Sequence, residues 1–145
     1  MPHPDLFHGH LQELSHAQCF ELVRSKRVGR LAYSGPDGLE VLPLNYVIHD
    51  EAVVFRTSPY TTLGRQGQGY LDEVDDVDDA AFEVDEIDDY TESGWSVLLK
   101  GRLRLVDSDD LPNSLDRPLP WPAGERFLYM RLVPRTVSGR RLLPA

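Results

Sequence analysis

The sequence predicts a mainly β domain, an antiparallel barrel closed or nearly closed on itself, with one or two short helices. Three observations predict it. Apolar runs of strand length, several alternating with polar residues, recur along the chain. Short turns rich in Gly and Pro separate successive runs, so neighbouring strands are joined by hairpins rather than by helical crossovers. The longest strand signal, Gly94 to Val106, carries Gly101 in its middle, which suits a bend or bulge at a barrel corner.

Residues 1–14 are polar, with His3, His8 and His10, and are expected to form an N-terminal tail or arm. His8 and His10 alone do not close a metal site, because no further ligand follows at a usable spacing. Residues 15–145 are expected to be one domain. Ser15 with Gln18 three residues on matches a capping box, and Cys19, Leu22 and Val23 follow at helical spacing, predicting a helix over about residues 16–26. Cys19 belongs to the apolar side of that helix and reads as core.

Val28–Ser34 is a strand, Gly35-Pro36-Asp37-Gly38 a hairpin turn, and Leu39–Ile48 the return strand, interrupted by Pro43, Asn45 and Tyr46. His49-Asp50-Glu51 is a polar turn and Val53–Thr57 the next strand. Ser58-Pro59 then reads as an N-cap followed by proline at the first helical position. Arg56, hydroxyls and free backbone N–H groups converge at this corner, which is the chemistry a phosphate needs. Residues 61–69 read as a frayed helix end and a glycine-rich loop, whose spacing is not that of dinucleotide folds. Leu71–Ala80 is an acidic run, read as a solvated loop; it lacks the central Gly and the spacing of a calcium loop. Strands are expected at Ala81–Asp85, Gly94–Val106, Phe127–Val133 and Val137–Leu142. A short helical turn from Asp107 and a rigid Pro118–Pro122 connector lie between the second and third of these.

The net charge of −9 is unevenly spread. Twelve of the 24 acidic residues fall between Asp72 and Glu92, where there is no Lys or Arg; the other twelve share the chain with 15 bases. A continuous basic stripe and a positive balance are both lacking, so nucleic acid is not the expected partner. No run approaches eighteen apolar residues, so no membrane partner is expected. One cysteine and the absence of a signal-like N-terminus point to a cytoplasmic protein. No Ser-His-Asp or Cys-His set is legible, so catalytic residues stay unassigned.

Four segments in order resemble the pyridoxamine 5′-phosphate oxidase-like, flavin-binding split-barrel family, in the branch common in actinobacteria. They are Val28-Gly-Arg-Leu-Ala32; Val41-Leu-Pro-Leu-Asn-Tyr46 with Val54-Phe-Arg-Thr57; Phe82-Glu-Val-Asp-Glu-Ile-Asp88 with Gly94-Trp-Ser-Val97; and Ser138-Gly-Arg-Arg141. The resemblance implies a six-stranded antiparallel split barrel, a homodimer, and flavin mononucleotide (FMN) bound in sites between the subunits. It places Val41, Leu42, Pro43, Leu44 and Asn45 along the flavin ring and Arg56 and Thr57 on the phosphate, with Ser58, Thr61 and Thr62 nearby. It brings Trp95 and Ser96 from the partner subunit, and Arg140 or Arg141 to the substrate side. The implied function is a flavin-dependent oxidoreductase acting on an unknown small molecule. True vitamin-B6 oxidase activity is not expected, because the substrate-phosphate residues of those enzymes do not map onto this chain.

Two departures bear on the cofactor. Tyr60 stands where many relatives have Gly, and Thr62 where they have a phosphate-binding Lys. A lost charge-assisted contact costs about 1.5–3 kcal/mol. Arg65, one helical turn beyond Thr61, is a candidate replacement, and the acidic run lengthens the loop that follows. The alternatives are therefore a deazaflavin or haem cofactor, or a non-catalytic barrel with none.

Overall fold

A computed structural model describes residues 10–57, 77–106, 111 and 128–144. Seven strands and one helix lie among them: β1 (His10–Glu13), α1 (His16–Arg24), β2 (Val28–Gly35), β3 (Gly38–His49), β4 (Ala52–Thr57), β5 (Val77–Asp88), β6 (Ser93–Val106) and β7 (Leu128–Leu143). The strand order is β1-β7-β4-β3-β2-β5-β6, and β6 pairs with β7 as well. Strands β2 to β7 therefore form a six-membered antiparallel ring, the expected barrel, with β1 laid along the far end of β7.

Local chemistry sets most element ends. The Ser15 side chain accepts from the Gln18 N–H and the Gln18 side chain returns to the Ser15 N–H, the predicted capping box. The β2–β3 hairpin closes with Gly35 opposite Gly38. At the β3–β4 hairpin Asp50 and Glu51 both have positive φ, 49° and 58°. That is the type I′ geometry whose twist matches a two-residue hairpin.

The apolar sides of the strands face inward. Leu31, Phe82, Val97, Leu99, Met130 and Leu132 are fully buried, and Cys19, Phe20 and Val23 of α1 close one end of this core. Burial raises the Cys19 thiol above its ordinary range, in keeping with a packing role. Tyr46, read from sequence as an interruption, is buried edge-on against Phe82 at 5.0 Å. Its hydroxyl donates to the Val23 carbonyl at 2.5 Å, tying β3 to the last turn of α1.

Three expectations are corrected and one is met. The strands expected at 127–133 and 137–142 are one sixteen-residue strand, β7. Residues 77–80, expected in a loop, begin β5. Part of the segment expected as a tail or arm, His10–Glu13, is a strand paired with Arg140–Leu143, and Leu14 beyond it is buried. The bend or bulge expected at Gly101 is present: the β6–β7 register shifts between Lys100 and Gly101, and the extra residues sit on the neighbouring strands. Lys100 pairs with Thr136 but Gly101 with Pro134, leaving Arg135 as the extra residue of β7. On the other side the register slips between Val77 and Ala80 of β5. A Cβ at Gly101 would stand 2.0 Å from the Val133 carbonyl oxygen, so the chain tolerates no side chain where the two bulges meet. The expectations for residues 58–76, for Asp107–Asn113 apart from Leu111, and for Pro118–Pro122 lie outside the described residues.

Gly101→Ala is expected to lower unfolding free energy by about 1–3 kcal/mol, since backbone rather than a mobile side chain must shift. Urea denaturation against the parent chain measures it; an unchanged midpoint would show that the bulge is not held by close packing.

Candidate functional site

Because even and odd residues of a strand face opposite ways, the core decides what each strand shows outside. On β3, Tyr46 is in the core and Leu42, Leu44 and Ile48 pack against it. Val41, Pro43 and Asn45 alternate with them and face out, and Val41 is 68% exposed. Of the five residues expected along a ring, three thus present side chains to the outside, while Leu42 and Leu44 offer backbone alone.

Val53 and Phe55 of β4 are core residues, so Arg56 lies on the outer face. It is opposite Tyr129 of β7, and its guanidinium carbon stands 5.2 Å from the Tyr129 ring centroid. Stacking of this kind holds a planar cation in place. Tyr46 pairs with Phe55. Asn45 and Arg56 are the next residues beyond that pair, at the end of the β3–β4 ladder. Thr57 ends β4 at this corner, opposite Leu128. Ser58, Thr61 and Thr62, with the departures Tyr60 and Arg65, lie outside the described residues.

Ser96 and Arg140 are directly paired on β6 and β7. They line an open recess of about 380 Å³ with Leu98, Ser138 and residues of β1. Arg141 points the other way and is partly buried. The indole of Trp95 is 7% exposed and belongs to the core of its own chain. It also hydrogen-bonds Glu86, whose carboxyl is held below its ordinary value chiefly by Lys26 at 2.9 Å. Strands β2 and β5 separate β6 from β3. Around the sheet Ser96 lies three strands from β3, and Arg140 sits on the half of β7 beyond its pairing with β4. The structure thus gathers the expected site residues into two groups that do not meet within one chain.

Between the groups lies a charge cluster that sequence reasoning missed. One nitrogen of Arg30 is 3.3 Å from both Glu83 and Asp85. Burial and the Asp85 carboxylate beside it push the Glu83 carboxyl up to about 7, and Arg30 opposes the shift. The alternation Phe82-Glu-Val-Asp85 signals two outward carboxylates; the missing information was the register that sets Arg30 opposite Glu83. Beyond the cluster, Ala32, Leu39, Ala81, Lys100 and Thr136 line a largely apolar groove of about 600 Å³. Among the described residues no group of three or more metal-ligating side chains occurs, and no helix is long and apolar enough to cross a membrane.

Comparison with known proteins places these features in a wider set. The family model described as pyridoxamine 5′-phosphate oxidase matches residues 15–141. A putative pyridoxamine 5′-phosphate oxidase from Corynebacterium glutamicum superposes with a TM-score of 0.73 at 22% identity, over 93% of this chain and 95% of that one. The FAD binding protein from Mycobacterium smegmatis superposes with a TM-score of 0.67 at 27% identity, over 90% and 96%. A FAD-binding protein from Mesorhizobium loti gives 0.69 at 21% identity, over 93% and 98%. No curated protein matches the chain.

The carboxyl of Glu83, raised from 4.5 to about 7, binds its proton more tightly in the folded than in the unfolded chain. Stability from this group is present in full below pH 4.5 and is lost as pH rises toward 7. Glu83→Gln is expected to flatten that part of the stability–pH curve. Urea midpoints of both proteins across this range test it, and parallel curves would refute the shift.

Proposed function

The chain belongs to the pyridoxamine 5′-phosphate oxidase family, and on that premise we propose that it is a flavin-dependent oxidoreductase, a cytoplasmic homodimer holding FMN in sites shared by its subunits. The observation that carries the reading is Arg56, stacked on Tyr129 near the end of β4. An outward cation at the end of a ledge formed by Val41, Pro43 and Asn45 suits a ligand with a flat apolar body and an anionic tail. Leu39 and Val41, 86% and 68% exposed, are unusually open for apolar strand residues, and a planar ring or a partner subunit would cover them.

In this reading the flavin lies along β3, where Leu42 and Leu44 contribute backbone N–H and C=O groups and Val41 and Pro43 contribute apolar surface. Arg56 and Thr57 hold the phosphate, with Ser58, Thr61 and Thr62 following. A bound flavin supplies hydride or electron transfer, and the protein supplies position and charge. The separation of the two groups around the sheet supports a shared site: a second copy docked on this face brings its Ser96 and Arg140 to the first copy's β3. The apolar groove at Ala32, Leu39 and Ala81 continues the same surface and would be buried in the dimer. The substrate is a small molecule that meets the open side of the ring.

The visible spectrum of purified protein and a titration with FMN test the cofactor. Saturable quenching is expected, weakened about ten- to a hundredfold in Arg56→Ala. A colourless chain that binds neither FMN nor FAD overturns the flavin reading; a deazaflavin or haem spectrum redirects it. Sedimentation should give twice the 16.4 kDa chain mass, and a pure monomer would remove the shared site.

A further inference from the structure

The outer face of β4, β7 and the second half of β6 has a charge of its own. Arg56, Arg102, Arg104 and Arg131 project there, on strands whose segments 52–57, 102–106 and 128–133 contain no Asp or Glu. Arg104 and Arg131 are directly opposite in the β6–β7 register. Arg131 is half-buried, its Nε is buried without an acceptor, and among the described residues no carboxylate reaches it.

Beside Arg131 is a recess of about 310 Å³ lined also by His49, Asp50, Val54, Leu105 and Leu111. Val54 shares the outward side of β4 with Arg56 yet is 1% exposed, so the recess has an apolar floor. His49 Nε2 stands 3.3 Å from the Asp50 carboxylate, which is 89% exposed at the rim. The recess thus offers one guanidinium and one imidazole over an apolar base. A half-buried guanidinium left without an acceptor is costly, and a planar or tetrahedral oxyanion repairs it with charge-assisted hydrogen bonds.

We propose that this recess is an anion site, in which Arg131, with His49 at its edge, binds a phosphate or carboxylate group of a small molecule. It is distinct from the Arg56 corner, although the two lie one diagonal apart. Arg56 is opposite Tyr129 and Val54 opposite Arg131, so their backbones are about 7–8 Å from each other. That spacing admits two sources for the anion. It is a second phosphate of a ligand whose first phosphate sits at Arg56, or it is a separate anionic small molecule. The site follows from the arginine arrangement and does not require that the protein bind flavin.

The test uses the full chain, inorganic phosphate and pyrophosphate as probes, and thermal unfolding with calorimetry as readouts. Phosphate is expected to raise the midpoint saturably above a chloride control of equal ionic strength, and Arg131→Gln to weaken binding about tenfold or more. Arg131→Leu is expected to keep or raise the midpoint without phosphate, because it removes the buried Nε that has no acceptor, while abolishing the phosphate response. Titration with FMN and FAD separates the sources. If FAD affinity falls in Arg131→Gln while FMN affinity holds, the anion is the second phosphate of a dinucleotide. If only phosphate and pyrophosphate binding fall, it is a separate ligand. Wild-type binding of all four probes in Arg131→Gln, or a phosphate response lost only in Arg56→Gln, overturns the proposal.

Discussion

Everything in this molecule depends on β7 satisfying both of its edges. Its first half is bonded to β4 on one side and β6 on the other; its second half keeps β6 and exchanges β4 for β1. A strand can serve three partners only if it turns partway, and the turn is made where Arg135 is left over opposite Lys100 and Gly101. Gly101 is required there by a backbone carbonyl 2.0 Å from where its Cβ would be. Closure in this way pairs both sides of β2 to β7, leaving β1 as the edge strand among the described residues, and it fixes which residues face the core.

Once the inside is fixed, the outside follows. Tyr46 illustrates the coupling: a buried phenol needs an acceptor, and the end of α1 supplies one in the Val23 carbonyl. That bond locks the face of β3, so that Val41, Pro43 and Asn45 stand outside while Leu42 and Leu44 rest on the core. The same logic buries Trp95 and leaves Ser96 in the open. Placement of the site is therefore a consequence of core packing, with no separate device needed.

Charge is partitioned by the same alternation. The net −9 conceals a barrel whose β2–β5 side carries Arg30 with two carboxylates and whose β4–β7–β6 side sets Arg56, Arg102, Arg104 and Arg131 on segments without Asp or Glu. The first cluster is internally compensated and tunes Glu83. The second leaves Arg131 in want of an anion. A field of this second kind suits an anionic ligand.

Much of this was legible in one dimension, because period-2 alternation, the Ser15–Gln18 cap and the two hairpin turns are local signals. They determined the helix, the β2–β3–β4 meander and the class of fold, and Arg56 at a strand end was visible for the same reason. Where the sequence misled, the deciding contact was distant. Phe127–Val133 and Val137–Leu142 look like two strands because Pro134 and Arg135 interrupt the apolar pattern; pairing along β6 makes them one. His10–Glu13 reads as polar tail, and only the free edge of β7 makes it a strand. The opposition of Arg104 to Arg131 and the bridge from Arg30 to Glu83 are matters of register across strands, and no local pattern carries register between strands so far apart in the chain. The sequence by itself determined the kinds of element and which residues alternate; the closed sheet decided which of them meet, because hydrogen-bond pairing around a ring is satisfied only when all six strands are in place.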